Sequence, residues 1–398
     1  MTPNLPGIDL QPVAGAVPAW RAEVDARQWR AACQAAASAG GRLAALWASD
    51  ERDRGGGFRV HALLALYEGL ACLQLRVPEN APAYPDVSDL FGCARRMQRA
   101  AADLVGVRPE GAADRRKWLR HGAWPEQAFP LRRDFDASTR HELERDGYPF
   151  VRVEGEGVHE IPVGPVHAGT IEPGHFRFSI VGEKVLRLEE RLGYKHKGIE
   201  KRFEQMTLEE GARLAGRVSG DSTVAYAWAY AMALEGMTAA QPGARALRLR
   251  ALLLERERIA NHLGDLGYLG NDCSLAFGFS QFWRLKEELL RANASAFGHR
   301  YLMDRIVPGG VACDLYPAQA QALLEEGERL KEELRALRRI YYNHAGLQDR
   351  CITTGRLSPR TAAALGVVGL AARASGHAMD ARAHPGFAPY DDLKPSVA

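Results

Sequence analysis

The order of apolar and polar positions divides the chain into a mixed front part, a short alternating stretch and a long helical remainder. Residues 22–39 are rich in alanine and predict a helix. Residues 42–48 predict a short strand, and the runs VHALLALYE and LACLQL within 58–77 suit two paired strands. A further helix is expected over 87–105, with Asp89 near its start. A Pro-rich, irregular stretch follows around 124–135, and the polar, unpatterned STRHELERDGYP places a boundary near 140–148. Beyond it, Phe176, Phe178 and Ile180 alternate with Arg177 and Ser179, and Gly182 opens a two-residue turn before Val185, Leu186 and Leu188, which reads as a hairpin. From about Thr207 the spacing becomes helical. Residues 208–236, 244–269, 279–306 and 318–344 carry apolar side chains at i, i+3 and i+4, and Pro308-Gly309-Gly310 turns between the last two. Four long helices in succession predict a bundle. The expected fold class is α+β: an N-terminal α/β module over 1–145, then, over 149–398, a small β element and a long-helix bundle.

Composition narrows the function classes. The chain has 398 residues, 46% hydrophobic and 25% charged, which suits an ordinary globular protein of two or three domains. A net charge of +3 without any isolated Lys/Arg block argues against a nucleic-acid partner. The longest apolar stretch, within 224–234, is shorter than the roughly 20 residues a bilayer requires. The N-terminus lacks the basic region and apolar run of a signal peptide, so membrane attachment is expected to come through partners. Cys33, Cys72, Cys93, Cys273, Cys313 and Cys351 include no C-x-x-C pair, and scattered reduced thiols are the expectation.

Five stretches carry the candidate chemistry. They are Gly164-Pro165-Val166-His167-Ala168-Gly169, continuing to Glu172-Pro173-Gly174-His175; Tyr194-Lys195-His196-Lys197-Gly198-Ile199-Glu200-Lys201; Arg217-Val218-Ser219-Gly220-Asp221-Ser222; 257–267, ERIANHLGDLG; and 303–311, MDRIVPGGV. In this order, from about 160 onward, they resemble the large-subunit family shared by group 4 nickel–iron hydrogenases, formate hydrogenlyase included, and the 49 kDa (D) subunit of complex I. More weakly, Tyr84-Pro85-Asp86-Val87-Ser88-Asp89-Leu90, Asp103-Leu104-Val105-Gly106-Val107 and Pro130-Leu131-Arg132-Arg133-Asp134-Phe135 resemble the 30 kDa (C) subunit, whose Glu-Arg-Glu pattern is replaced here by Gln98-Arg99-Ala100. Fusion of the two modules is a habit of formate hydrogenlyase-type proteins.

The departures from the family shape the expected function. The hydrogenase motif at 217–222 is R-x-C-G-x-C, and its thiolates, with a second C-x-x-C near the C-terminus, hold nickel and iron. Here those two positions are Ser219 and Ser222, and no cysteine follows Cys351 before Ala398 in the sequence given, which by comparison with the family is expected to be truncated. A neutral, hard hydroxyl does not replace a soft thiolate, so no metal is expected here. In complex I the emptied cavity holds the quinone head group, through a loop histidine and a tyrosine. His167 matches the first loop histidine, the second falls near Pro173 with His175 two residues on, and the tyrosine position is Gly220.

The resemblance therefore implies a peripheral subunit, on the cytoplasmic face of the inner membrane, of an ion-translocating oxidoreductase. This chain would bind no cofactor of its own; contact with a quinone is the alternative reading. Its implied partners are a small iron–sulfur (B-type) subunit with a [4Fe–4S] cluster, a ferredoxin-like (I-type) subunit and the membrane H-type subunit. Asp221, Glu200 and His196 are the candidate proton-coupling residues, and His167, His175, Arg217, Ser219 and Ser222 are the pocket candidates. Ser-Gly-Asp-Ser before an apolar run also makes a good helix cap, and KHKGIEKR also suits a solvated face. Arg258, His262 and Asp265 share one helix face and are expected to form an ion network. Tyr226, Trp228 and Tyr230 are expected in the core. A quinone-binding subunit of an NADH-quinone oxidoreductase, and a scaffold that only organises partners, are the alternatives.

Overall fold

The computed structural model describes residues 2–144, 147–167 and 172–396. They form two compact units. The first holds the residues up to Pro12, Trp20–Arg202 and Ala364–Gly366; the second holds Val13–Ala19, Phe203–Ala363 and the residues from Val367 onward. The expected boundary near 140–148, part of which lies outside the described residues, falls inside the first unit, which runs on to Arg202.

The first unit is built on a five-stranded sheet in the order β1-β2-β5-β4-β3, with β1 Gln11–Val13, β2 Ala19–Val24, β3 Arg42–Glu51, β4 Gly57–Ala65 and β5 Leu70–Val77. The two apolar runs pair as expected: β4 lies antiparallel to β5 from Phe58↔Val77 to Ala65↔Leu70. The helix expected over 22–39 is shorter. Trp20, Ala22 and Val24 alternate with Arg21 and Glu23 and form β2, and helix α1 spans Ala26–Ser38. Asp25 fixes its start: the Asp25 carboxylate accepts the Gln28 N–H at 2.7 Å, and the Gln28 side chain accepts the Asp25 N–H at 3.0 Å. Trp29, Ala32, Cys33 and Ala36 then present one buried face to the core.

Helix α2 spans Ala94–Leu104, not 87–105. The segment before it spends its backbone donors elsewhere: Val87 N–H goes to the Gln98 side chain at 3.1 Å and Gly92 N–H to the Ala364 carbonyl at 3.1 Å. Asp89 is no cap; it forms a bidentate pair with Arg30. The parallel pair β6 Ala83–Pro85 and β7 Arg108–Glu110 flanks α2 in sequence. The motif at 103–107 is structural, because the Asp103 carboxylate accepts the N–H groups of Trp118 and Leu119 at 2.7 and 2.8 Å. A separate three-stranded antiparallel sheet follows, order β10-β9-β8, from β8 Val158–Val163, β9 His175–Val181 and β10 Lys184–Arg191. The β9–β10 hairpin is as expected, with Gly182 at φ +56° in its turn, while β8 had no clear alternation to announce it. Short helix α3, Ile199–Phe203, ends this region.

The second unit is helical: α4 Leu208–Ala215, α5 Thr223–Thr238, α6 Ala244–Asp272, α7 Ala276–Phe297, α8 Pro317–Asn343 and α9 Ala345–Cys351. The helix expected over 208–236 is thus two. Gly216 and Gly220 weaken helical continuation, and the Ser219 and Asp221 side chains bond to each other across Gly220. Helix α7 stops at Phe297 rather than 306, because Gly298 takes φ +79° and donates its N–H to Ala294. The Pro308-Gly309-Gly310 turn joins two short paired strands, β11 Ile306–Val307 and β12 Gly310–Val311. A fully buried Arg250 pins it: its guanidinium pairs with Glu235 at 2.6 and 3.0 Å and donates to the Val307 and Gly310 carbonyls, while Glu235 also takes the Gly309 N–H at 2.8 Å. No described helix is long and apolar enough to cross a membrane.

Removing one member of this buried pair strands the other charge. Glu235→Ala is expected to cost about 3–5 kcal/mol in urea unfolding; a variant as stable as the parent would show that Arg250 finds other compensation.

Candidate functional site

The sequence candidates fall in both units. In the first, Glu200 lies in the first turn of α3, and its carboxylate lies 3.4 Å from His196 Nε2, four residues before it in sequence. The His196 bond lowers the Glu200 pKa, although the carboxylate is 58% exposed. His196 Nδ1 accepts the Gly198 N–H at 3.2 Å. Tyr194 of the same motif stacks on His121 at 3.9 Å, and Lys201 donates to the Arg132 carbonyl at 2.8 Å. His175 begins β9, its ring 4.9 Å from Phe150. Its Nε2 is buried without a hydrogen-bond partner among the described residues, and burial, with Arg177 and Arg191 nearby, lowers its pKa. His167 is exposed; Ala168 and Gly169, which complete its motif, lie outside the described residues.

In the second unit the motifs at 217–222, 257–267 and 303–311 converge. Arg217 forms a bidentate pair with Asp304, at 2.7 Å for Nη2, and a bond to the Arg213 carbonyl at 2.9 Å. Ser219 donates its hydroxyl to the Asp221 carboxylate, and Asn261 donates to the Asp221 carbonyl at 2.8 Å. Ser222 is the N-cap residue of α5, yet its side chain makes no capping bond. The expected cap is therefore supplied from elsewhere. Glu257, on α6, accepts the N–H groups of Val224 and Ala225 at 2.6 and 3.0 Å. Asp221 and Glu257 line one small cavity of about 20 Å³ together with Asn261, Lys286, Asn293 and Arg300. That is room for about one water-sized occupant with several polar partners.

Glu257 is only 6% exposed. Burial pushes its carboxyl up to about 7, the Asp221 charge adds to the rise, and the two backbone N–H bonds oppose it. A carboxyl held near neutrality between an acidic neighbour and two backbone donors is suited to taking and releasing a proton. Glu257 opens its sequence motif, but the motif alone gives it no role. Its signal was present: an acidic residue at helical spacing from Ala260 and Gly264, inside the buried face of a long helix.

The Arg258, His262 and Asp265 network is not formed as expected. Arg258 pairs with Glu255 at 2.5 Å, and Glu255 accepts from Arg382 at 2.8 Å and from the Tyr390 hydroxyl at 2.7 Å. Arg382 in turn pairs with Asp380 at 2.6 Å. No hydrogen bond or ion pair joins His262 or Asp265 to this network among the described residues; His262 is half-buried and its pKa is lowered, chiefly by burial. The i, i+4, i+7 spacing gave the shared face correctly but could not show that Arg258 turns to a residue one turn back. Of the aromatic run, Trp228 is core, 5.3 Å from Phe387, whereas Tyr226 is exposed. Among the described residues no three His, Cys, Asp or Glu side chains gather as a metal site.

The sign of the Glu257 effect on stability is fixed. Its folded pKa lies above the ordinary 4.5, so its contribution is fully present below that value and is lost as pH rises through about 7. Urea unfolding of the parent, relative to Glu257→Gln, is expected to lose about 3 kcal/mol between those pH values. Parallel pH profiles for the two proteins would contradict the assignment.

Comparison with known proteins matches the two halves separately. Residues 22–141 match the model of the respiratory-chain NADH dehydrogenase 30 kDa subunit, and residues 272–398 match that of the 49 kDa subunit. Formate hydrogenlyase subunit 5 of Escherichia coli is 32% identical over 366 residues, which cover 90% of this chain and 64% of that protein. The C/D subunit of NADH-quinone oxidoreductase from Phocaeicola vulgatus is 28% identical, over 78% of this chain and 63% of that one. The chain thus spans slightly under two thirds of the length of these relatives. A chain from the structure of the membrane-bound sulfane sulfur reductase, an archaeal respiratory membrane complex, shares the fold, with a TM-score of 0.57 and 22% identity over 63% of this chain and 66% of its own. With both models matched in this order in one polypeptide, the chain carries fused 30 kDa and 49 kDa complex I subunit domains, and formate hydrogenlyase subunit 5 and the C/D subunit of NADH-quinone oxidoreductase are its homologues.

Proposed function

We propose that this chain is a peripheral subunit of a membrane-associated, ion-translocating oxidoreductase, and that its second unit supplies a proton-accepting carboxyl pair, Asp221 and Glu257, to electron transfer carried by a partner. The implied donor is a [4Fe–4S] cluster in a small iron–sulfur subunit, with a ferredoxin-like subunit and a membrane H-type subunit alongside, at the cytoplasmic face of the inner membrane. The observation that carries the reading is the buried Glu257 carboxyl, held near neutrality beside Asp221 and against the first turn of α5. Arrival of negative charge nearby would raise the Glu257 pKa further and draw in a proton. Glu200 with His196 is a second proton-carrying pair in this reading; its lowered pKa keeps it ionised, so it would pass protons rather than store them.

In the same reading no nickel–iron centre is held. Of the residues at the first ligand pair, Ser219 already donates its hydroxyl to Asp221, and both serines offer hard oxygen donors where nickel needs thiolates. The quinone alternative has one observation in its favour, the His175 Nε2, buried and without a partner among the described residues, which could bond a quinone oxygen. Labelling of this chain by a photoreactive quinone analogue, lost in His175→Ala, would support that alternative.

In the native complex, Asp221→Asn and Glu257→Gln are each expected to lower turnover by about tenfold or more. Ion transport should fall in parallel, and nickel should be far below one atom per chain. Unchanged turnover and transport in both variants would refute the carboxyl pair, and stoichiometric nickel would refute the metal-free reading.

A further inference from the structure

The six cysteines are scattered in sequence, but the fold brings two of them together. Cys273 Sγ lies 3.7 Å from Cys351 Sγ, across a sequence separation of 78. Cys273 ends α6, donating its N–H to Leu269 at 3.1 Å, and is 7% exposed. Cys351 is the last residue of α9. Three bonds hold the two helix ends in place. Arg350 donates to the Cys273 carbonyl at 3.2 Å, Gln348 to the Tyr341 carbonyl at 2.8 Å, and the Tyr341 hydroxyl to the Leu266 carbonyl at 2.8 Å. A groove of about 460 Å³ runs over this region and is lined by Cys351, with Leu269, Phe282 and Tyr341. Cys273 does not line it. The two thiols therefore differ in access: one faces the groove and the other sits behind it.

We propose that Cys273 and Cys351 form a reversible dithiol–disulfide site that exchanges two electrons with a low-molecular-weight disulfide entering on the Cys351 side. Cys351 Sγ, as thiolate, attacks one sulfur of the incoming disulfide. A mixed disulfide forms, and the first leaving thiolate takes up the proton that Cys351 gave up. Cys273 Sγ, as thiolate, then attacks Cys351 Sγ, the intramolecular bond forms, and the second small thiol leaves with the Cys273 proton. Two protein thiols are oxidised and one small disulfide is reduced to two thiols, so no other oxidant is required. Forming the bond brings the two sulfurs from 3.7 Å to the roughly 2.05 Å of a disulfide. Burial, with Cys273 beside it, raises the Cys351 pKa, so exchange is slow at neutral pH and quickens as pH rises. Cys33, fully buried and pushed to about 12, is an internal control that should not react.

The test uses the reduced full chain, equilibrated with oxidised glutathione, quenched in acid, labelled with a maleimide and mapped by mass spectrometry. Two of the six cysteines should lose their label to a single Cys273–Cys351 disulfide, reversed by dithiothreitol. Its formation should raise the melting temperature by about 5–15 °C. Cys273→Ser should stop at a glutathione adduct on Cys351. The unmutated chain should also bind one phenylarsine oxide across the pair, a readout that needs no variant to fold. A stable Cys351–glutathione adduct in the unmutated chain, or full labelling of all six cysteines after oxidation, would overturn the proposal.

Discussion

The N-terminus of α5 leaves backbone N–H groups that its own first residues do not satisfy, and a carboxyl from α6 satisfies two of them. Ser222, although a favourable capping residue, stands aside. Capping from a neighbouring helix ties α5 to α6 and places a titratable group where the local cap residue, Ser222, would have been neutral. The same bond that completes the helix therefore sets the electrostatics of the cavity below Asp221. Burial works against the charged carboxylate, while the helix end favours it, and the balance leaves the group near neutrality.

The surrounding motifs hold that arrangement. Arg217 and Asp304 clamp the segment before α5 to the turn after α7, and Asn261 fixes the Asp221 backbone from one turn further along α6. The Arg250–Glu235 pair fastens the far end of α5 to the β11–β12 turn. Stretches that are distant in sequence are thus joined, the Arg217–Asp304 and Arg250–Glu235 links by charge-assisted bonds. At the two positions where the nickel–iron relatives carry thiolates, this chain has the hydroxyls of Ser219 and Ser222, with the Asp221 carboxylate between them.

Much of the fold was legible. The β4–β5 pair, the 182–183 turn and the long helices followed from period and turn residues, and the motif order gave the family. The misses have specific causes. Residues 19–24 alternate like a strand, but alanines beyond Asp25 drew the helix forward. The break between α4 and α5 came from side-chain bonding at 219–221 that helical periodicity does not register. In the site, the serines, Asp221 and Arg217 were named, because they occupy motif positions. Glu257 was missed because its role depends on which helix end lies opposite it, and the Cys273–Cys351 approach was missed because it depends on how α9 returns to α6.

The central claim is that Glu257 changes protonation near neutral pH. Infrared difference spectroscopy of the full chain, stepped from about pH 5 to about pH 9, follows a buried carboxylic acid band directly. A band that disappears with a midpoint at about 7, and is missing from Glu257→Gln, is the result expected. A Glu257 carboxyl already fully ionised at the acid end of that range would contradict it.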